Sequence, residues 1–170
     1  SYVLLVGDDT QVPSFNGSTG THLSDMYYCE MDGGGDFYPE MYYGRFSANI
    51  PEELTPQILK TMEYEQYTMP NPAYLDEVVM VAGVDASMAP TYGNGQINYG
   101  TDNYFNLAHG ITSYTYLYGS GSPITSDMPQ ASAAIIADVS GGVGFANYTA
   151  HCGSSGWSDP SFSTSDVPSL

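Results

Sequence analysis

Basic residues are almost missing from this 170-residue chain: Lys and Arg together number 2 against 19 Asp and Glu, a formal net charge of −17. Phosphate binding needs a basic face, so nucleic acid is excluded as a partner, and an anionic membrane surface is disfavoured for the same reason. Cysteine is scarce as well, with only Cys29 and Cys152. Two cysteines are too few for a disulfide framework, and their spacing is not that of a zinc site. A single bridge between them stays open, since sequence alone does not give the distance a bridge needs. No apolar run reaches the length of a membrane-spanning helix, so no membrane insertion is expected. The opening residues, Tyr2-Val-Leu-Leu-Val-Gly7, read as a core strand rather than as a targeting peptide. A domain rarely begins on its central strand with no lead-in. The expectation is therefore an internal piece of a longer protein, beginning and ending inside one domain.

What is present points to a folded α/β chain. Hydrophobic residues make up 42%, enough to argue against global disorder, and 170 residues suffice for one domain with a core. Sixteen Tyr and nineteen Gly suggest a polar, wet surface with many turns. Residues 3–6 form a short apolar run, as in a strand covered on both faces, and 14–22 read as a polar loop. Tyr-rich residues 25–31 and residues 41–47 are strand candidates on either side of a glycine run. Residues 51–67 read as a helix, with Pro51, Glu52 and Glu53 in its first turn and Leu54, Ile58, Leu59 and Met62 at helical spacing. Pro56 interrupts that pattern and predicts a restart after Thr55. The apolar run 77–83 is a strand; 99–108 is predicted helical and stopped by Gly110; 113–118 alternates as a strand. Residues 128–139 read as a helix burying Ala133, Ala134, Ile135 and Ile136. Residues 143–149 are a strand, and 163–170 resemble the capped start of a helix. Strands alternating with helices predict a mainly parallel sheet.

Two chemically useful side chains follow the carboxyl ends of strands: Asp85 after 77–83, and His151 after 143–149. Functional groups collect at that edge of open α/β sheets. A carboxylate orienting an imidazole is half of a nucleophile–base–orienter triad. Around the glycine run, Asp32, Asp36 and Glu40 converge hard carboxylate oxygens on a flexible backbone, a pattern that suits calcium but does not have EF-hand spacing.

Several segments together resemble one family. Asn147-Tyr-Thr-Ala-His151, the following Gly/Ser-rich turn and Trp157-Ser-Asp-Pro160 are similar to the catalytic histidine segment of the gingipains, caspase-like cysteine endopeptidases. Leu4-Leu-Val-Gly-Asp8 resembles the strand before the family's first active-site loop. Phe37-Tyr-Pro-Glu-Met-Tyr42 and Arg45-Phe-Ser-Ala48 resemble a following hairpin, and Val81-Ala-Gly-Val-Asp85 the strand that carries the third triad residue. The likeness runs in order along nearly the whole chain and is closer to the lysine-specific members.

The resemblance implies a caspase-like sandwich, a mainly parallel sheet flanked by helices and incomplete at both ends of this chain. It implies that His151 is the general base or thiolate partner, and that Asp85 orients it. The backbone N–H of Cys152 would serve the oxyanion hole; the family has glycine there, but any residue except proline keeps that donor. The nucleophilic cysteine would follow beyond Leu170, leaving this fragment inactive alone and dependent on the rest of the same catalytic domain. Asp32, Asp36, the Tyr38 carbonyl and Glu40 would hold a structural calcium. Thr149 would line the substrate pocket. Where the arginine-specific members have an acidic residue, Gly93-Asn-Gly-Gln-Ile-Asn98 offers only amides, so a lysine at P1 (the residue preceding the cut) is expected over a bidentate arginine. A secreted or cell-surface bacterial peptidase acting on polypeptides is thus the leading expectation. The competing reading is a catalytically inactive gingipain-like binding or structural module. A calcium-dependent adhesive module, resting on acidity and tyrosine content alone, ranks last.

Overall fold

The computed structural model describes residues 1–18, 22–33 and 36–170. The predicted loop 14–22 and the glycine run after Asp32 therefore lie in part outside the described residues. The chain divides into two compact units, Ser1–Pro70 and Asn71–Leu170.

The first unit contains, in chain order, β1 (Tyr2–Val6), β2 (Phe15–Asn16), β3 (Leu23–Ser24), β4 (Tyr42–Phe46) and helix α1 (Pro51–Glu65). β1 and β4 pair in parallel, with Tyr2 opposite Tyr42 and Val6 opposite Phe46, while β2 and β3 form a short antiparallel pair. Arg45 ties this unit together. Its guanidinium grips Asp25 with two bonds, Nε to Oδ2 at 2.7 Å and Nη2 to Oδ1 at 2.6 Å, and donates to the Gly7 carbonyl at 2.6 Å.

The second unit contains β5 (Glu77–Ala82), α2 (Asn94–Asn103), β6 (Thr112–Tyr116), α3 (Pro123–Ser126), α4 (Met128–Gly141), β7 (Phe145–Thr149), β8 (Cys152–Gly153), β9 (Gly156–Trp157) and β10 (Phe162–Ser163). Its main sheet has the order β6-β5-β7, all parallel, with β5 central. Helical crossovers join these strands, the usual requirement for parallel pairing. The apolar run of β5 is buried on both faces, with Ile97, Ile124, Ala131 and Ile135 packed around it. Asp127 caps α4 by accepting from the Gln130 N–H, and Gly142, at φ 100°, lets the chain turn out of it. The fold is thus α/β, with a parallel sheet flanked by helices. Among the described residues no helix is long and apolar enough to cross a membrane.

Several expectations are corrected. Residues 25–31 form no strand; Met26–Tyr28 is a 3₁₀ turn, because the Ser24 hydroxyl takes the Met26 N–H and Asp25 is committed to Arg45. β4 is not part of a hairpin, since it pairs in parallel with β1. β1 is not covered on both faces: Leu4 and Val6 are 55% and 46% exposed in this two-stranded sheet. α1 runs through Pro56 without restarting, and none of its residues is buried. The helix expected at 99–108 lies further back, at Asn94–Asn103, preceded by a π-turn at Ala89–Gly93 and followed by a 3₁₀ turn capped by Gly110. Gly93, at the turn that leads into α2, packs closely on β5: a Cβ there would lie 3.1 Å from that of Ala82. On α4 the buried stripe is Ala131 and Ile135, with Ala133 exposed. Residues 163–170 start no helix; the Asp166 carboxylate accepts from the Ser163 N–H and hydroxyl, closing a local loop before a 3₁₀ turn at Val167–Ser169.

Candidate active site

Parallel pairing brings the carboxyl ends of β5 and β7 side by side, with Ala82 opposite Thr149 and the Gly83 N–H donating to the Thr149 carbonyl at 3.3 Å. Asp85 lies three residues past the first strand and His151 two past the second, so both leave the same edge. Gly83 permits the close approach: a Cβ there would fall 2.1 Å from that of Ala150. Gly83, Asp85, Met88, Thr149, Ala150 and His151 lie on the wall of an open cleft of about 280 Å³.

His151 Nε2 sits 3.8 Å from Asp85 Oδ2, an ion-pair distance rather than a direct hydrogen bond. The His151 side chain is 87% exposed and that of Asp85 39%. Because Nε2 faces the carboxylate, Nδ1 is the nitrogen left for a reacting group. The other Asp85 oxygen, Oδ1, accepts from the Ser87 hydroxyl at 2.6 Å and the Ser87 N–H at 2.8 Å. These bonds from Ser87 hold its carboxyl below the usual range against desolvation, with the Met88 N–H and His151 adding smaller downward effects. Asp85 therefore stays a carboxylate, as an orienter of imidazole must.

Thr149 donates its hydroxyl to Gln96 Oε1 and accepts from Asn147 Nδ2, both at 2.9 Å. Cys152 opens the β8–β9 hairpin directly after His151; its thiol is free and exposed, whereas Cys29 is free and fully buried. Sequence reasoning missed Ser87 and Tyr148, whose hydroxyl reaches the His151 carbonyl, and named Gln96 only within the amide stretch 93–98. The Asp85-Ala-Ser87 spacing, an Asx-type turn, was a legible signal for the first; Gln96 and Tyr148 depend on tertiary pairing.

Two of the calcium candidates accept backbone hydrogen bonds. Asp36 Oδ1 accepts from the Tyr38 N–H at 2.9 Å, and Glu40 Oε2 from the Met31 N–H at 2.6 Å. Among the described residues no group of three or more His, Cys, Asp or Glu side chains is assembled to hold a metal. The hard-oxygen chemistry of Asp32, Asp36, the Tyr38 carbonyl and Glu40 suits calcium.

An imidazole and a carboxylate stand on one carboxyl edge of the parallel sheet of an α/β protein, above an open cleft, an arrangement chemically able to supply the acid–base half of a nucleophile-activating site. The chain belongs to peptidase family C25, whose family model matches residues 1–170. It is 39% identical to Lys-gingipain W83 of Porphyromonas gingivalis, over 99% of this chain and 9% of that protein, and 31% identical to gingipain R2 of the same organism, over the whole chain and 22% of that protein. A solved protease structure superposes with a TM-score of 0.77 at 38% identity, covering 99% of this chain and 35% of the other. The Arg-specific cysteine proteinase gingipain R superposes with a TM-score of 0.73 at 27% identity, covering the whole chain and 37% of that structure. The chain thus spans about a tenth to a fifth of these curated relatives and about a third of the solved ones.

Proposed function

We propose that this chain is part of the catalytic domain of a cysteine-type endopeptidase. The observation that carries the reading is the His151–Asp85 pair at 3.8 Å on a shared strand edge, within a chain of a peptidase family. His151 acts as general base or as partner of a thiolate, and Asp85 orients the imidazole and stabilises its charged form. The Cys152 N–H donates to the oxyanion of the tetrahedral intermediate. By the family resemblance the nucleophile comes from a segment outside these 170 residues; Cys29 is buried, and Cys152 adjoins His151 at the position where the family has glycine. The fragment alone is therefore inactive, and its necessary partner is the remainder of the same domain.

The substrate is a polypeptide with lysine at P1. In support, the neutral acceptors of Thr149 and Gln96 stand together, and the 93–98 stretch carries no carboxylate to pair with a guanidinium fork. The protein is proposed to act outside a bacterial cell or on its surface. Calcium at Asp32, Asp36, the Tyr38 carbonyl and Glu40 rests on the resemblance alone, and no step of the chemistry runs through it; titration calorimetry of the full-length protein should register binding, and the absence of heat and of any thermal shift would remove the claim. The peptidase reading is tested by offering the full-length protein peptides that differ only at P1. Cleavage after lysine is expected. Preference for arginine or an apolar residue overturns the specificity and leaves the peptidase; no cleavage of any peptide leaves the inactive-module reading.

A further inference from the structure

Tyr148 stands outside the acid–base pair, yet it is the residue most entangled with the backbone of His151. Its ring lies flat on Trp157, with centroids 4.4 Å apart and planes 4° apart, and Phe162 backs Trp157 at 5.0 Å. Its hydroxyl donates to the His151 carbonyl at 2.7 Å and lies 3.5 Å from the Asp159 carbonyl; it accepts from the N–H groups of Asp159 and Ser158 at 3.2 and 3.3 Å. The Ser158 N–H also reaches the His151 carbonyl, at 3.2 Å. That carbonyl is therefore held by two donors.

The hairpin register shows what this fixes. Cys152 pairs with Trp157 and Gly153 with Gly156, across Ser154 and Ser155. Bonded and non-bonded pairs alternate along an antiparallel ladder. The bond from Ser158 to His151 marks the next bonded pair, so Cys152 is a non-bonded position whose N–H is turned away from β9. The His151 carbonyl and the Cys152 N–H belong to one planar peptide, and fixing one fixes the other. Two donors on the carbonyl also polarise the unit and strengthen its N–H as a donor.

We propose that Tyr148 is a positioning residue: clamped by Trp157, its hydroxyl fixes the His151–Cys152 peptide so that the imidazole and the Cys152 N–H are presented as one rigid unit. The proposal rests on the peptidase reading above. It differs from a merely structural role, in which the phenol only closes the hairpin and its loss lowers the amount of folded enzyme without changing what each folded molecule does.

The test is Tyr148→Phe in the full-length protein, which removes the hydroxyl and keeps the ring stack. With turnover normalised to the native fraction from a melting curve, kcat should fall about tenfold while KM stays within about twofold, the mark of lost alignment rather than lost binding. In a sample labelled with ¹⁵N-cysteine, the Cys152 amide resonance should move upfield as its peptide loses a carbonyl partner. If Tyr148→Phe does not fold, Trp157→Phe keeps the hydroxyl and loosens the clamp, and a kcat fall of about threefold is expected. A wild-type kcat per folded molecule, or an unmoved Cys152 amide, overturns the proposal and leaves the peptidase intact. A wild-type protein that cleaves no peptide overturns the peptidase reading, and the proposal with it.

Discussion

From Val78 to Ala82, every residue of β5 is at most 3% exposed, and α2, α3 and α4 each send an isoleucine or alanine against it. From Ser1 to Pro70 the picture is reversed: β1 leaves Leu4 and Val6 open, α1 buries nothing, and the tightest knot is the fork of Arg45 on Asp25 and Gly7. One unit is held by apolar packing around a central strand, the other by a polar cross-link between short elements. The candidate site is built on the first. Its geometry inherits the rigidity of a close-packed strand edge, the kind of support a precise constellation needs.

The comparison is broken most severely by cutting into the packed unit. Ile135→Ala empties a fully buried position and should cost about 2–4 kcal/mol in chemical unfolding, whereas Ile58→Ala on the open helix should cost less than about 1 kcal/mol. Equal losses would erase the distinction between the units. Next comes the cross-link. Arg45→Met should cost about 2 kcal/mol, because a largely buried carboxylate loses its charged donors. The Arg45 guanidinium, helped by the Ser14 hydroxyl and opposed by burial, holds the Asp25 carboxyl below its usual value. With a lowered value in the fold, the unfolded chain takes up the proton first. The stabilisation is therefore complete above the ordinary carboxylate value of about 4 and drains away as pH falls through the folded value. Arg45→Met should flatten this acid slope, and an unchanged slope would show that Asp25 is not its source. Gly83→Ala, which drives a methyl group into Ala150, should cost about 1–3 kcal/mol. It should nevertheless impair turnover of the full-length protein more than its melting temperature suggests, since Ala150 precedes His151. Turnover falling only in step with stability would mean that the strand edge does not set the site.

Legibility in the sequence follows the same division. The strand at 77–83 was readable because a buried parallel strand is a continuous apolar run; the one at 143–149, an edge strand with no buried residue, was marked by the glycines before it and after Cys152, and the two ends located Asp85 and His151. Where polar side chains decide the backbone, the reading failed: Asp25 and Ser24 turned an expected strand into a 3₁₀ turn, and Asp166 closed a loop where a helix start was expected. The helix at Asn94–Asn103 was placed too late because what packs Gly93 at its start, Ala82 of β5, is a tertiary contact and not a local signal. The Tyr148–Trp157 stack and the Thr149–Gln96 bond were hidden for the same reason: each joins residues that only the hairpin or the sheet brings together.

The central claim is that His151, steadied by Asp85 on a shared strand edge, performs the acid–base chemistry of a peptidase. His151→Ala in the full-length protein tests it most directly, since an exposed side chain can be removed with little effect on folding. The account predicts a fall in kcat/KM on lysyl peptides of about 10²–10⁴-fold with the melting temperature unchanged. Cleavage by His151→Ala at the wild-type rate would contradict it.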